Sequence, residues 1–249
     1  MAENDIKKEY LGNGVGIFVN RDYTFGTDAV LLSDFSRKKK RENFCDLGTG
    51  CGIIPMLFYR DGLCESNCLA VEIQRDACLL FEKTLRENEI EDKIHILNCD
   101  LKNYKENLPG ASFDLVTSNP PYFSKNTGYE RAGEKEKIAR YEIKSDIYSV
   151  AECAAYLLKY SGRFCVCHRS ERLCDVLDAM RKNGIEPKRL RHVMNRENSA
   201  PYLVLAEGRK GGKNSLVTEP PLILYDASGN PTAEYKRIYR YFSEGESNE

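Results

Sequence analysis

The segment DLGTGCG at residues 46–52 combines an aspartate with three closely spaced glycines and follows a short apolar run. Glycine lets a backbone turn sharply and approach a ligand, which the start of the following helix can also contact. Glu72 ends the next apolar run, where a carboxylate can accept hydrogen bonds from both hydroxyls of a ribose. The loop and this acidic residue together predict a site for a nucleoside-containing cofactor.

A second segment with chemical potential is SNPPYF at residues 118–123, directly after the apolar run 113–116. Proline has no amide hydrogen and a fixed φ, so two prolines at the end of a strand stop its ladder and stiffen the chain that follows. A rigid turn is one interpretation, because proline and asparagine are common in turns. The other is that Asn119, the Pro120 carbonyl and the Tyr122 ring form a fixed array for a ligand.

The pattern of apolar residues predicts strands that alternate with helices. Strands are expected at residues 43–47, 68–72, 94–99, 113–117, 162–167, 190–194 and 202–207. Helices are expected at residues 53–60, 76–88, 147–159 and 171–183. Gly184 would end the last helix as a left-handed cap. This alternation is typical of parallel βαβ units, and the short polar link 195–201 favours an antiparallel pair for the two closing strands.

The composition is that of a soluble globular protein. The 249 residues have a net charge of −1, with 41% hydrophobic and 30% charged residues. The apolar runs are all much shorter than the roughly 20 residues of a membrane helix, and the polar start MAENDIKKEY lacks the apolar centre of a signal peptide. We therefore expect a cytoplasmic protein without membrane contact.

The ten cysteines are expected as reduced thiols, because disulfide scaffolds belong to short secreted chains. Two clusters have some likeness to zinc sites: Cys64 with Cys68, and Cys165 with Cys167 and His168. Neither cluster has a matching second pair at the usual spacing, so packing in the core is the favoured interpretation. No metal is predicted.

The glycine loop resembles the first motif of the class I S-adenosylmethionine-dependent methyltransferases, since it reads GxGxG after an aspartate where a dinucleotide site normally reads GxGxxG. The resemblance implies an α/β fold: a single Rossmann-like methyltransferase domain with a seven-stranded, mostly parallel sheet and an antiparallel closing strand. We place this domain at residues 43–225, after an amino-terminal extension 1–42 that contains FGTDAVLL and before a carboxyl-terminal tail 226–249.

S-adenosylmethionine is the cofactor that this resemblance implies. In the family the glycine loop approaches the methionine part, the acidic end of the second strand binds the ribose, and an acidic residue after the third strand lies by the adenine. Asp100 matches that third position. The residues assigned to the cofactor in this way are Thr27, Asp28, Asp46, Gly48, Thr49, Gly50, Gly52, Glu72, Asp100, Leu101 and Asn119.

The segment NPPY at residues 119–122 resembles the fourth motif of methyltransferases that modify an amino nitrogen of adenine, of cytosine or of a glutamine side chain. Such a nitrogen is a poor nucleophile because its lone pair is delocalised into a ring or a carbonyl. The resemblance makes Asn119, Pro120 and Tyr122 the catalytic residues. The Asn119 oxygen and the Pro120 carbonyl would accept the amino hydrogens and aim the lone pair, while Tyr122 stacks on a planar substrate.

The segment FGTDAVLL at residues 25–32, taken with these motifs, resembles the bacterial tRNA adenine-N6 methyltransferases that modify the adenine beside the anticodon of a valine tRNA. The likeness extends from about Leu11 to PPLILY at residues 220–225. It places Thr27 and Asp28 near the methionine end of the cofactor. It also makes ARYE at residues 139–142 a family segment, in which Tyr141 stands where relatives often have histidine.

If the substrate is a tRNA, two charged segments of the chain are expected to contact it. The stretch 124–144 would lie near the target nucleotide, and phosphate contacts are expected from the basic block Arg37, Lys38, Lys39, Lys40 and Arg41. A protein glutamine-N5 methyltransferase would use the same NPPY array and stays open, as does a DNA adenine methyltransferase. The alternative outside the enzymes is a catalytically silent RNA-binding module that keeps the cofactor site.

Overall fold

The computed structural model describes residues 6–120 and 147–239. The strands of this part of the chain are β1 (Lys7–Gly12), β2 (Val15–Val19), β3 (Phe44–Leu47), β4 (Cys68–Glu72), β5 (Ile94–Asn98), β6 (Phe113–Ser118), β7 (Leu158–Arg169), β8 (Ile185–Met194), β9 (Leu203–Lys210), β10 (Val217–Thr218) and β11 (Leu222–Ile223). Its α-helices are α1 (Thr27–Ser36), α2 (Ile53–Arg60), α3 (Arg75–Glu87), α4 (Tyr104–Asn107), α5 (Ile147–Leu157), α6 (Leu173–Lys182) and α7 (Ala233–Tyr239).

One nine-stranded sheet organises these elements, in the order β10-β8-β9-β7-β6-β3-β4-β5, with β11 also pairing with β8. Only β9 runs against the other strands of this sheet in the described part of the chain. The predicted α/β class, the mostly parallel sheet and the antiparallel closing strand are confirmed. The strand number is nine instead of seven, because the two-residue strands β10 and β11 are too short to show a period in the sequence.

The parallel strands bring their carboxyl ends to one edge of the sheet, which we call the carboxyl edge. The pairs Leu47 with Ser118 and Glu72 with Asn98 lie in register there. Loops that follow neighbouring parallel strands must therefore meet at this edge. The opposite edge, which we call the amino edge, holds the starts of the same strands.

Two apolar clusters cover the two faces of the sheet, as a parallel sheet requires. Helix α3 shows how the sequence produces this packing, since Ala77, Leu80, Phe81 and Leu85 recur at helical spacing and are all buried. Burying a side chain such as Phe81 contributes roughly 2–3 kcal/mol. Helices α5 and α6 pack on the other face and on each other.

A hairpin of β1 and β2 precedes the sheet and packs on α3, although the sequence analysis assigned no strands there. Its turn contains Gly12, Asn13 and Gly14, all with positive φ. Asn88 secures the hairpin through two hydrogen bonds to Gly16, one accepted from the Gly16 N–H at 3.1 Å and one donated to the Gly16 carbonyl at 2.8 Å. The GNG sequence is a turn signal that could have predicted this hairpin.

Helix α7 lies in the segment that we labelled a carboxyl-terminal tail, and it packs on α1 and β11. Two bidentate ion pairs fix it: Arg191 with Glu234, and Arg237 with Asp34. The domain boundaries at residues 42 and 225 stay a prediction.

The basic block at residues 37–41 lies between α1 and the start of β3, and therefore at the amino edge. Lys38 corrects our expectation of a phosphate contact, because it is buried and donates from Nζ to the carbonyls of Lys39, Glu42 and Leu63 at 2.8–3.0 Å. Such a lysine ties the loop before β3 to the segment after α2 and is not available to a ligand. Within residues 6–120 and 147–239 none of the helices has the length and apolar character needed to cross a bilayer.

Candidate active site

The glycine loop between β3 and α2 borders an open space at the carboxyl edge. Gly48 has φ +72° and Gly50 has φ +58°, so both adopt the left-handed conformation that favours glycine. A Cβ atom built on either residue meets no heavy atom within 4 Å. Gly52, at φ +88°, is different, because a Cβ there would overlap the ring of Phe81. Among the described residues, no side chain therefore packs against the backbone of Gly48 or Gly50.

Glu72 closes one side of this loop from the end of β4. Its Oε2 accepts the Gly50 N–H at 2.9 Å and its Oε1 accepts the Gln74 N–H at 2.9 Å. The residue is 5% exposed, and burial raises the pKa of its carboxyl. Hydrogen bonds from the backbone of Gln74, Gly50 and Ile73 and from the Gln74 side chain lower this pKa in part, so the carboxylate is held firmly beside the loop.

Asp46 lies within β3, next to its register partner Thr117 on β6. The Thr117 hydroxyl donates to Asp46 Oδ1 at 2.6 Å, and both residues are buried. Burial raises the pKa of the Asp46 carboxyl to about 6, although the bond from Thr117 lowers it in part. The buried hydroxyl of Thr49 makes no well-formed hydrogen bond within the described residues. Asp46 therefore supports the loop from inside the sheet.

Asp100 follows β5, the strand beside β4. Its Oδ1 accepts the Lys102 N–H at 3.0 Å and caps a short 3-10 helix that begins at Leu101. Asn98 joins the two strand ends, since its side chain donates to the carbonyl oxygens of Glu72 and Ile73 at 2.8 and 3.0 Å. Glu72 and Asp100 are thus held on adjacent strand ends, as the sequence analysis expected.

Asn119 continues β6 one residue beyond Ser118, opposite Gly48 by the strand register. Its Nδ2 donates to Asp28 Oδ2 at 3.0 Å. The orientation of this amide follows from chemistry, because an ionised carboxylate can only accept a hydrogen bond and must face the NH2 group. The planar amide then turns its Oδ1 away from Asp28.

Asp28 is held in place by the first turn of α1. Its carboxylate lies near the amino end of the helix, where the helix dipole favours negative charge. A Cβ built on Gly26 would come within 2.5 Å of Asp28 Oδ1, so the carboxylate lies where only glycine leaves room. The neighbouring Thr27 is hydrogen-bonded to Tyr239 of α7, and burial raises the pKa of that phenol.

The sequence analysis missed several residues that position this site. Thr117 and Gln74 give no signal of their own, because their partners are distant in the chain. Tyr23 donates to the Gln74 side chain at 3.0 Å, so the segment before α1 is tied to the residues that follow β4. Tyr239 belongs to a helix that was not predicted.

The other predicted catalytic and substrate-binding residues lie partly inside and partly outside the described part of the chain. Pro120 is buried directly after Asn119. Tyr122, the ARYE segment with Tyr141 and the stretch 124–144 lie outside the described residues. Among the residues that the structure does describe, no group of three or more His, Cys, Asp or Glu side chains is placed to hold a metal ion.

The chain is similar in sequence and in fold to known proteins. The family model of the methyltransferase small domain matches residues 10–136. A tRNA1(Val) (adenine(37)-N6)-methyltransferase from a Flavobacteriaceae bacterium (strain 3519-10) is 29% identical over 144 residues, which span 58% of either chain. The enzyme of the same name from Histophilus somni (strain 129Pt) is 25% identical over 218 residues, 87% of this chain and 89% of that one.

Among solved structures, a predicted O-methyltransferase from Agrobacterium tumefaciens has a TM-score of 0.71 at 17% identity and covers 87% of this chain and 97% of its own. An alternating sheet with an open glycine loop and acidic residues at the next two strand ends defines a class I methyltransferase that uses S-adenosylmethionine. The chain belongs to the methyltransferase small domain family.

Proposed function

We propose that this enzyme transfers a methyl group from S-adenosylmethionine to the exocyclic N6 of an adenine in tRNA, next to the anticodon of a valine tRNA. The observation that carries the proposal is the hydrogen bond from Asn119 to Asp28, which sets the direction of an acceptor oxygen beside the glycine loop. The tRNA part is supported by the relatives, which are named for adenine 37 of tRNA1(Val).

The amine needs two acceptors and no strong base. In the proposed reaction Asn119 Oδ1 accepts one N6 hydrogen and the Pro120 carbonyl accepts the other, so that the nitrogen lone pair leaves conjugation with the ring and becomes nucleophilic. Bound S-adenosylmethionine would supply an electrophilic methyl group on a sulfonium: the S–C bond would break as the N6–C bond forms, the neutral thioether would leave, and one N6 proton would pass to solvent. Acceptors that are already oriented avoid reorganisation during the reaction, and this preorganisation is commonly a large part of catalysis.

The residues present fit that cofactor. Gly48 and Gly50 leave room beside bare backbone, and the carboxylate of Glu72 next to the loop is the acceptor that we propose for the ribose hydroxyls. Asp100 is held two residues beyond the register partner of Glu72, within reach of an adenine bound past the ribose. We propose that Asp46, Thr49 and Gly52 shape the loop, that Leu101 packs by the adenine, and that Thr27 and Asp28 line the methionine end. Tyr122 remains the proposed stacking ring.

A protein glutamine-N5 methyltransferase is the second candidate, because the amide of glutamine has the same need for two acceptors. The observation that favours it is the geometry itself, which suits any planar amine. The names of the relatives, which refer to a tRNA, favour RNA as the substrate.

Transfer of labelled methyl groups to tRNA from a strain without the modification tests the proposal. We expect N6-methyladenosine at the adenine beside the valine anticodon, identified by mass spectrometry of nuclease fragments. Asn119→Ala should lower the rate about 100-fold or more, while cofactor binding, measured by calorimetry, stays within a few-fold. A tRNA with guanine at the target is the matched substrate control. Label in protein instead of RNA would establish the glutamine reaction, and cofactor binding without transfer would establish the silent module.

A further inference from the structure

A strongly charged cavity of about 730 Å³ lies at the amino edge, away from the glycine loop. Part of its wall comes from the basic block, and the rest comes from the starts of β6 and β7, from β8 and from the end of β9. The cations that line it are Arg37, Lys39, Arg41, Arg163, Arg189 and Arg209. We call this cavity the amino-edge basin.

The inner wall of the basin is a closed network of ion pairs. Arg163 pairs with Glu42 at 2.9 Å and with Glu207 at 3.1 Å, while Arg189 pairs with the same Glu207 oxygen at 3.0 Å and with Glu219 at 3.3 Å. Both arginine side chains are only 12–13% exposed. Because each buried arginine has carboxylate partners, this part of the wall is satisfied internally.

The other pairs at the wall are also balanced. Arg37 reaches Glu219 at 3.2 Å and completes a set of three arginines and three glutamates. Asp114, which lines the basin, pairs with Lys159 at 2.9 Å. These pairs leave no net charge on the inner wall.

Three cations remain unbalanced at the rim. Lys39, Arg41 and Arg209 are exposed, and their side chains make no ion pair in the described part of the chain. Their three positive charges are concentrated around one cavity in a protein whose overall net charge is −1. The rim is therefore a place where an anion would gain electrostatic free energy.

The distance between the basin and the candidate active site limits what this anion can be. Asp114 in the basin wall lies near the start of β6, and Asn119 at the active site is the first residue after its end. The two residues are five positions apart along one extended segment. At ~3.3 Å per residue the separation is about 16 Å. A substrate that contacts both places must be a polyanion extended over at least this distance.

We propose that the amino-edge basin binds the phosphate backbone of the tRNA at a point remote from the target base, through Lys39, Arg41 and Arg209. This inference rests on the proposed function and adds a second contact surface to it. The tRNA would pass from the carboxyl edge to the amino edge, so the enzyme would recognise the body of the substrate as well as the adenine. A short peptide or a free nucleotide would not reach both places.

The test is binding of full-length tRNA and of an unpaired heptanucleotide with the loop sequence, each over a series of salt concentrations. The variant is Lys39→Ala/Arg41→Ala/Arg209→Ala, and the matched control is Lys7→Ala/Lys83→Ala/Arg86→Ala, which removes three exposed cations from β1 and α3. For tRNA we expect the slope of log Kd against log salt to fall by about 2–3 in the basin variant. We expect no change in the control and none with the heptanucleotide.

A basin variant that binds tRNA with the slope of the control overturns the inference and leaves the proposed function standing. If the slope of log Kd against log salt falls equally for tRNA and for the heptanucleotide, while cofactor binding is normal, the inference is also overturned. The contact would then lie near the target base. Lys39→Arg/Arg41→Lys/Arg209→Lys keeps the charges and should restore the slope, which separates charge from folding. A wild-type chain that neither binds nor methylates tRNA overturns both proposals.

Discussion

Asn119 and Asp28 are 91 positions apart in the chain, yet the side-chain amide of Asn119 donates to Asp28 Oδ2 at 3.0 Å. The carboxylate thereby fixes which end of the amide faces it and which end faces away. The first turn of α1 thus acts on the asparagine that the NPPY motif supplies. Asp28, which the sequence analysis assigned to the cofactor, is in our proposal also a positioning residue for Asn119.

Asp28→Asn should lower the rate of methyl transfer by about 10- to 100-fold, since a hydrogen bond to a charged partner contributes roughly 1.5–3 kcal/mol. An asparagine at this position can donate as well as accept, so the Asn119 amide would lose its fixed orientation. Single-turnover rates should fall while the KM for tRNA changes little. Asp92→Asn, which removes an exposed carboxylate that makes no ion pair within the described residues, is the control. Full activity of Asp28→Asn would show that the bond has no part in catalysis.

Gly26→Ala should reduce activity with little loss of stability. The backbone at Gly26 has φ −107° and ψ 173°, which alanine adopts freely, but the new Cβ would displace the Asp28 carboxylate. We expect the rate to fall about tenfold. This loss is at the low end of that expected for Asp28→Asn, because Gly26→Ala displaces the carboxylate but does not remove it. Gly62→Ala is the converse control: φ is +67° and the site is open, so stability should fall by about 1 kcal/mol without loss of activity. Urea unfolding and single-turnover rates together distinguish the two.

Gly52→Ala should destabilise the fold more than Gly48→Ala does. Both substitutions place alanine at positive φ, which costs about 1–2 kcal/mol. Only at Gly52 does the Cβ also overlap the Phe81 ring, and overpacking adds typically 1–3 kcal/mol. The free energy of unfolding from urea titrations checks the difference. Equal losses in the two variants would mean that the ring moves aside without cost.

The stability of the protein should depend on pH through Asp46. Its pKa is about 6 in the folded protein against an ordinary value of 3.8, because burial disfavours the charged form. Between these values the folded state binds more protons, so this residue lowers stability as pH rises, by roughly 3 kcal/mol in total. Asp46→Asn should reduce the difference between the free energies of unfolding at pH 4 and at pH 7, each measured by urea titration. Asp92→Asn, which removes an exposed charge, serves as control and should keep the wild-type slope.

The sequence predicted the elements around the glycine loop well, because their periodicity is strong. The ranges of α2 and β4 agree with the structure at both ends, and β3, α3 and β6 agree within one residue. The hairpin and α7 were missed because each is short and draws its stability from packing on α3 and α1.

The candidate site was predictable only in part. Strand order places Gly48, Glu72 and Asp100 at one edge, so their meeting follows from the alternation of elements. The contact of Asp28 with Asn119 does not, because no local pattern joins residues so far apart in the chain. The amino-edge position of the basic block could be predicted, since a segment before a parallel strand must lie at the start of that strand. The burial of Lys38 could not be predicted, because it depends on the distant carbonyl of Leu63.

The two-residue strands β10 and β11 also bear on how the molecule behaves in a crowded solution. They pair with residues 189–190 and 193–194 of β8, the last long strand on that side of the sheet. An uncovered strand of that length would offer a template on which another chain could add a strand. These two pieces are too short to serve as templates themselves, so the sheet ends on that side in a form that discourages fibrous self-association.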